Sequence, residues 1–420
     1  MRRRALLSAM FDAAVARVGA DRCVPPNLPP RPRGRTVVVG AGKAAAAMAR
    51  AVETHWAGPI EGVVVTRYGH AVPCDRIRVL EAGHPVPDAA GVAAAQALLA
   101  AVSGLTADDL VMCLISGGGS ALLPAMPPGV SLEDERALTR ALLRSGATIA
   151  EINAVRRQVS LIKGGRLAAA ATPARVETLI VSDVPGDDPA LVASGPTIAD
   201  ASGPETARAV IARHRIVPPA PIAAWLEGGM GAVTVRSGGV RVIATAQDAL
   251  EAAAAVARAA GYTASILGDA IEGEAAVVGT VHAGIVRQVR AHGQPVAAPC
   301  VLLSGGETSV TVRGPGRGGR NVEFLLGLLD ALGDCPGIAA LAADTDGIDG
   351  TEDNAGAVID ETSFARAAAL GLSPRDHLAR NDAYSLFDRL GDLLVTGPTL
   401  TNVNDVRAIL IDPPGRGDGA

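Results

Sequence analysis

The chain has 420 residues, 49% hydrophobic and 19% charged, which is long enough for two globular domains that each bury a core. Two Trp, three Tyr and four Phe provide no stacking platform for single-stranded nucleic acid, and a formal net charge of -5 provides no footprint for a phosphate backbone. Cys23, Cys74, Cys113, Cys300 and Cys335 are scattered and form no Cys-x-x-Cys pair, which argues against a disulfide framework or a zinc site and fits a reducing, cytoplasmic setting.

Arg2-Arg3-Arg4 ahead of Ala5-Leu6-Leu7 resembles the charged start of a signal peptide, but Asp12 and Arg17 interrupt the apolar run. Leu6, Leu7, Met10, Ala14 and Val18 recur at helical spacing and predict an amphipathic first helix. No segment reaches the roughly 18 uninterrupted apolar residues of a membrane span. Short apolar runs at 36–39, 62–66, 77–81, 110–115 and 177–182 then alternate with alanine-rich helical stretches such as 43–53 and 89–103. Strands that are apolar throughout and separated by helices predict a doubly wound, Rossmann-like parallel sheet, with ligands beyond the carboxyl ends of its strands.

The first such end reads Gly40-Ala41-Gly42-Lys43-Ala44-Ala45. As Gly-x-Gly-x-x-Ala it is a loose dinucleotide fingerprint, with Arg67 after the next strand in reach of a 2′-phosphate but no acid there for an NAD ribose. As a Walker A loop it fails, because Val37 stands at the first glycine and Ala44 replaces the hydroxyl residue. What remains is Lys43 at a helix N-terminus, where the helix dipole disfavours a cation and a functional reason is the better one. The strand at 110–115 runs into Ser116-Gly117-Gly118-Gly119-Ser120, where missing Cβ atoms let backbone N–H groups converge on an anion; a plain tight turn has the same composition.

Residues 153–167 carry Asn153, Arg156, Lys163, Gly164, Gly165 and Arg166. Seven residues separate Arg156 from Lys163, which predicts one shared helical face ended by the glycines, with three cations suited to an anion; a solvated basic face is the alternative. Asp183, Asp187 and Asp188 follow the strand at 177–182. Between 201 and 240 the clustered Pro and Gly mark the expected boundary: an N-terminal domain 1–237, a smaller C-terminal α/β domain 238–412, and a disordered tail 413–420.

The second half repeats the theme. Residues 301–303 run into Ser304-Gly305-Gly306-Glu307, a second candidate phosphate turn that a faint duplication or convergence would equally produce. Gly318-Gly319-Arg320-Asn321 delivers an arginine to the start of an apolar helix at 322–332, which suits a phosphate or carboxylate. Asp344-Thr345-Asp346-Gly347-Ile348-Asp349-Gly350 has the look of a calcium loop but lacks the closing Glu. Carboxylates at a strand end more commonly hold hydrated magnesium or a hydroxyl proton, with turn formation as the plain alternative.

In this order the motifs, together with Gly83-His84-Pro85-Val86-Pro87-Asp88, Ser194-Gly195-Pro196-Thr197 and Thr401-Asn402-Val403-Asn404-Asp405, resemble the class II glycerate 2-kinase family with its C-terminal MOFRL domain, over nearly the whole chain. The resemblance implies ATP-dependent, magnesium-requiring phosphorylation of D-glycerate at the 2-hydroxyl. It implies Lys43 and Arg320 as catalytic cations, Arg320 on the phosphoryl group or the glycerate carboxylate. Gly42, Ser116, Gly117, Gly118, Gly119, Ser120, Gly305 and Gly306 would hold phosphates, and Asn153, Arg156, Lys163, Asp344 and Asp346 the substrate. Asp183 and Asp187 are the expected magnesium ligands, although Asp344 or Asp346 would serve too. A hydroxypyruvate reductase using NAD(P)H and a non-catalytic sensor of sugar acids or nucleotides are the competing readings.

Overall fold

The first half forms a parallel sheet because its strands are short, apolar and never consecutive without a crossover. A computed structural model describes residues 3–413 apart from Met230, Ala232, Thr234 and Arg236. β1 (Thr36–Ala41), β2 (Glu61–Arg67), β3 (Ile77–Ala82), β4 (Leu110–Ile115) and β5 (Arg175–Val181) pair in parallel, and β1 and β4 are buried at every position, as strands covered on both faces must be. With β6 (Ser237–Ala244) the order is β3-β2-β1-β4-β5-β6. Strand order reverses between β1 and β4, and the loops leaving the carboxyl ends at such a switch point are where ligands of this architecture bind. Those loops are 42–44 and 116–120.

The same unit carries a smaller helical layer. Helices Leu132–Arg144, Ile149–Gln158, Pro204–Arg213 and Ala220–Gly228 bury Leu138, Leu142, Val155 and Ile222 in an apolar cluster separate from the sheet core. Each such side chain contributes roughly 1.5–3 kcal/mol by leaving water. Capping boxes at Ser131 and Thr148 fix the starts of the first two helices.

The second unit holds β7 (Thr263–Gly268), β8 (Gly273–Glu274), β9 (Cys300–Ser304), β10 (Thr308–Ser309), β11 (Ile338–Asp344), β12 (Gly356–Ile359), β13 (Leu393–Leu394) and β14 (Asp405–Ile411). Six of them make a mixed sheet in the order β13-β12-β11-β14-β9-β7, in which β7 and β9 pair in parallel and the other pairs are antiparallel. The two Ser-Gly-Gly turns thus end strands in different settings, and convergence on turn chemistry explains them better than duplication.

The domain boundary differs from the expected 237/238 at both ends of the chain. One unit spans Ala20–Ile243, and the helix Arg3–Val18 belongs with the chain from Ala244 onwards. β6 hydrogen-bonds as the sixth strand of the first sheet, so the glycines before it do not end that domain. Leu6, Leu7, Met10, Phe11, Ala14 and Val18 are buried, and ion pairs Arg3–Asp412 at 2.6 Å, Arg4–Asp392 at 2.8 Å and Arg17–Asp248 at 2.6 Å tie the helix to the C-terminal unit. Periodicity reveals that a helix has an apolar face; it does not say which core receives it. Arg2 and residues 414–420 of the expected tail lie outside the described residues.

Candidate active site

At the sheet reversal the two loops are stitched together. Gly42 N–H donates to Val65 O at 3.1 Å, Lys43 N–H to Gly117 O at 2.9 Å, and Ala44 N–H to Ser116 Oγ at 2.9 Å. Gly42 has a φ of 136°, and a Cβ there would meet Ser116 Oγ at 2.2 Å, so the close approach of the loops requires glycine. The half-buried Lys43 side chain is left to run past Gly118: a Cβ on Gly118 would lie 3.5 Å from Lys43 Cγ and 2.9 Å from His84 Nε2. Gly118, with a φ of 80°, turns the chain into the single-turn helix Gly119–Leu122. Neither Gly117 nor Gly118 N–H donates to another described residue, which leaves two adjacent donors for an anion.

A hydrogen-bonded chain leads away from this loop. Ser120 Oγ lies 3.0 Å from Ser194 Oγ, and Ser194 donates to Asn153 Oδ1 at 2.8 Å. Ser194 sits in the run Ala193-Ser194-Gly195, whose φ values of 51°, 61° and 59° put two non-glycine residues in the left-handed region. Strain of that kind persists where neighbours enforce it, and here Gly164 and Gly165 N–H donate to the Ser194 and Gly195 carbonyls. The sequence motif pointed to this turn but assigned Ser194 no part.

Arg156 and Lys163 do not share a helical face, because the helix Ile149–Gln158 ends before Lys163. They are brought to one place by the turn that follows it. Lys163 Nζ is buried 3.4 Å from Glu135 Oε1, and Arg156 also feels the Glu135 charge. Burial lowers the pKa of both cations. Arg166 Nη1 donates to Arg157 O at 2.8 Å and Lys163 O at 2.9 Å, capping the chain. Glu135 was missed by sequence reasoning, although its place three and seven residues before Leu138 and Leu142 on a buried stripe was a signal.

In the second unit, Arg320 opens the helix Arg320–Leu332 and is held on three sides. Nε donates to Asp405 Oδ1 at 2.8 Å, Nη1 to Glu307 at 3.0 Å and Nη2 to Asp344 at 2.7 Å. Burial opposes its charge, but the carboxylates outweigh burial and hold its pKa well above the usual value. Asp405 also accepts from Arg407 at 2.6 Å, and the buried Asp349 receives the N–H groups of Asn321 and Val322, both at 3.0 Å. Burial pushes the Asp349 carboxyl up to about 6. Asp346 is buried and accepts from Ile348 N–H at 2.9 Å. Asp349, Asp405 and Arg407 are the members that sequence reasoning left without a role.

Gly305 and Gly306 are closely packed. Gly305 N–H donates to Gly268 O, both glycine carbonyls accept hydrogen bonds, and a Cβ on Gly306 would meet Ile271 N at 2.2 Å. With its N–H committed, Gly305 is not the expected phosphate donor. Asp183 and Asp187 lie half-buried on the loop after β5, Asp187 with a φ of 54°. Among the described residues no three His, Cys, Asp or Glu side chains gather as a metal cage. Magnesium commonly takes one or two carboxylates and completes its shell with water and phosphate oxygens, so a carboxylate pair such as this fits in kind. No helix among the described residues is long and apolar enough to cross a membrane.

Residues 6–227 match the family model described as a domain of unknown function (DUF4147), and residues 300–405 match the MOFRL family. A D-glycerate 2-kinase of Thermotoga maritima is 39% identical over 397 residues, which cover 94% of each chain. The crystal structure of a glycerate kinase from the same organism matches with a TM-score of 0.88 at 38% identity, covering 97% of this chain and 99% of that one. A protein of Agrobacterium vitis provisionally named hydroxypyruvate reductase is 55% identical over 416 residues, covering 97% of this chain and 94% of its own length. With a fold, two domain models and relatives that agree over nearly its full length, the chain belongs to the glycerate kinase family that carries a MOFRL domain.

Proposed function

We propose that this protein transfers the γ-phosphoryl group of ATP to the 2-hydroxyl of D-glycerate, giving ADP and 2-phosphoglycerate. The observation that carries this reading is the stitched turn after β1. A dinucleotide pyrophosphate would need the N–H groups of Gly42, Lys43 and Ala44, and all three are already bonded to Val65, Gly117 and Ser116. The same turn presents the Lys43 side chain beside Gly118. That arrangement serves charge stabilisation on a phosphoryl group better than hydride transfer, so the provisional name of the A. vitis relatives is the less supported alternative.

In this mechanism Gly117 and Gly118 N–H groups bind ATP phosphate oxygens, with Gly42, Ser116, Gly119 and Ser120 shaping the loop. Lys43 stabilises the charge that spreads over the transferring phosphoryl oxygens, since phosphoryl transfer depends on positioning and electrostatics more than on covalent help. Asn153, Arg156 and Lys163 receive the anionic substrate. Asp183 and Asp187 would hold magnesium, which when bound neutralises phosphate charge. Arg320 and Arg407 face Glu307, Asp344, Asp349 and Asp405, an acidic balance that receives a hydroxyl or a hydrated cation more readily than a second anion. Asp344 and Asp346 accordingly serve hydroxyls or metal.

Purified protein with ATP, magnesium and D-glycerate should release ADP, and phosphorus NMR should identify the product as 2-phosphoglycerate. A 3-phosphoglycerate product would refute the position, and NADPH oxidation by hydroxypyruvate without ADP formation would refute the kinase. Binding of either substrate without turnover would favour the sensor.

A further inference from the structure

We infer that Arg156, beside the buried Lys163–Glu135 pair, anchors the carboxylate of a small monoanionic hydroxy acid. Naming that acid D-glycerate rests on the kinase reading above.

Two adjacent arginines are treated differently by the fold. Arg157 donates to Asp200 at 3.3 Å and to the Ala190 carbonyl at 2.6 Å, which leaves only its buried Nε without a partner. The half-buried Arg156 guanidinium makes no hydrogen bond or ion pair with any described residue. Its nearest opposite charge is Glu135, which Lys163 already engages at 3.4 Å. Glu135 Oε2 is buried with no partner, and Lys163 is only 1% exposed, so this acid and this cation are held in place by the helical layer.

Charge counting then defines the guest. Around Glu135 two cations share one carboxylate, and Arg157 and Arg166 likewise share Asp200, which leaves positive charge in surroundings where an uncompensated charge is costly. A single carboxylate offsets the share that Arg156 carries, and guanidinium binds carboxylate through two parallel N–H bonds. Arg156 lies one helical turn beyond Asn153, whose link through Ser194 reaches Ser120 of the glycine loop, so the anchored acid would lie on the side of the loop that Ser120 faces.

The test uses the full chain and compares wild type with Arg156→Gln and Arg156→Lys. Loss of one charge-assisted pair should raise the KM for D-glycerate about 10- to 100-fold, with the KM for ATP changed less than about twofold. Arg156→Lys should recover part of the loss. Wild type should prefer D-glycerate to the uncharged D-glyceramide, and Arg156→Gln should lose that preference, which a merely structural residue would not cause. If turnover is normal and Arg156→Gln binds D-glycerate as wild type does in a calorimetric titration, the anchor is wrong and the kinase reading survives. If no phosphoryl transfer occurs but D-glycerate binds to wild type and not to Arg156→Gln, the kinase reading is wrong and the anchor survives.

Discussion

Arg320 and Asp405 meet at the first turn of the helix Arg320–Leu332, with Nε donating to Oδ1 at 2.8 Å and the acid wholly buried. The other oxygen of Asp405 accepts from Arg407, whose guanidinium lies 5.2 Å from the Phe324 ring centroid. One carboxylate therefore orients two arginines. Asp405→Asn should leave Arg407 without its hydrogen-bonded carboxylate, while Arg320 keeps Asp344 and Glu307, and cost about 3–5 kcal/mol of stability, the usual cost of breaking a buried pair. Denaturant unfolding checks this, and a variant within 1 kcal/mol of wild type would show that the cluster is more loosely built than its geometry implies.

Lys43→Ala should separate the turn from the chemistry. The backbone of Lys43 does the stitching to Gly117, so truncating the side chain should leave that stitch in place. The kcat for phosphoryl transfer should fall about 10²- to 10³-fold, as for removal of one preorganised donor in other enzymes. Steady-state kinetics beside a thermal melt decide; equal kcat values would remove Lys43 from the mechanism.

Ser116→Ala should have the opposite profile. It removes the acceptor for the buried Ala44 N–H and should destabilise the protein by about 1–3 kcal/mol. Gly42→Ala should be worse than Ser116→Ala, because the added Cβ meets backbone as well as Oγ of Ser116. Thermal melts of the two variants should fall in that order.

Glu323 makes the second unit sensitive to pH. Burial raises its carboxyl to about 7, with Asn381 Nδ2 donating to it at 3.2 Å and opposing the shift, and Glu274 and Asp349 adding repulsion. Its folded pKa lies above the usual 4.5, so the folded state holds an extra proton between those values. Stability from this group is full below about pH 4.5 and is lost as pH rises through about 7. Glu323→Gln should therefore stabilise the protein on the order of 2 kcal/mol at pH 8 and change little at pH 4. An equal shift at both pH values would point to packing instead of charge.

The strand at 110–115, the amphipathic face of the first helix and the glycine turn after β4 were all legible from residue order, because apolar period and missing Cβ atoms are local properties. So was the resemblance that named Lys43 and Arg320. Only the tertiary structure decided that the first helix belongs to the C-terminal unit, that Gly305 spends its N–H on Gly268, and that Lys163 reaches Glu135 from a turn. Those outcomes depend on which groups from distant segments meet and use up each other's hydrogen bonds and charges. A sequence shows which donors and cations exist; the fold decides which of them remain available for a ligand.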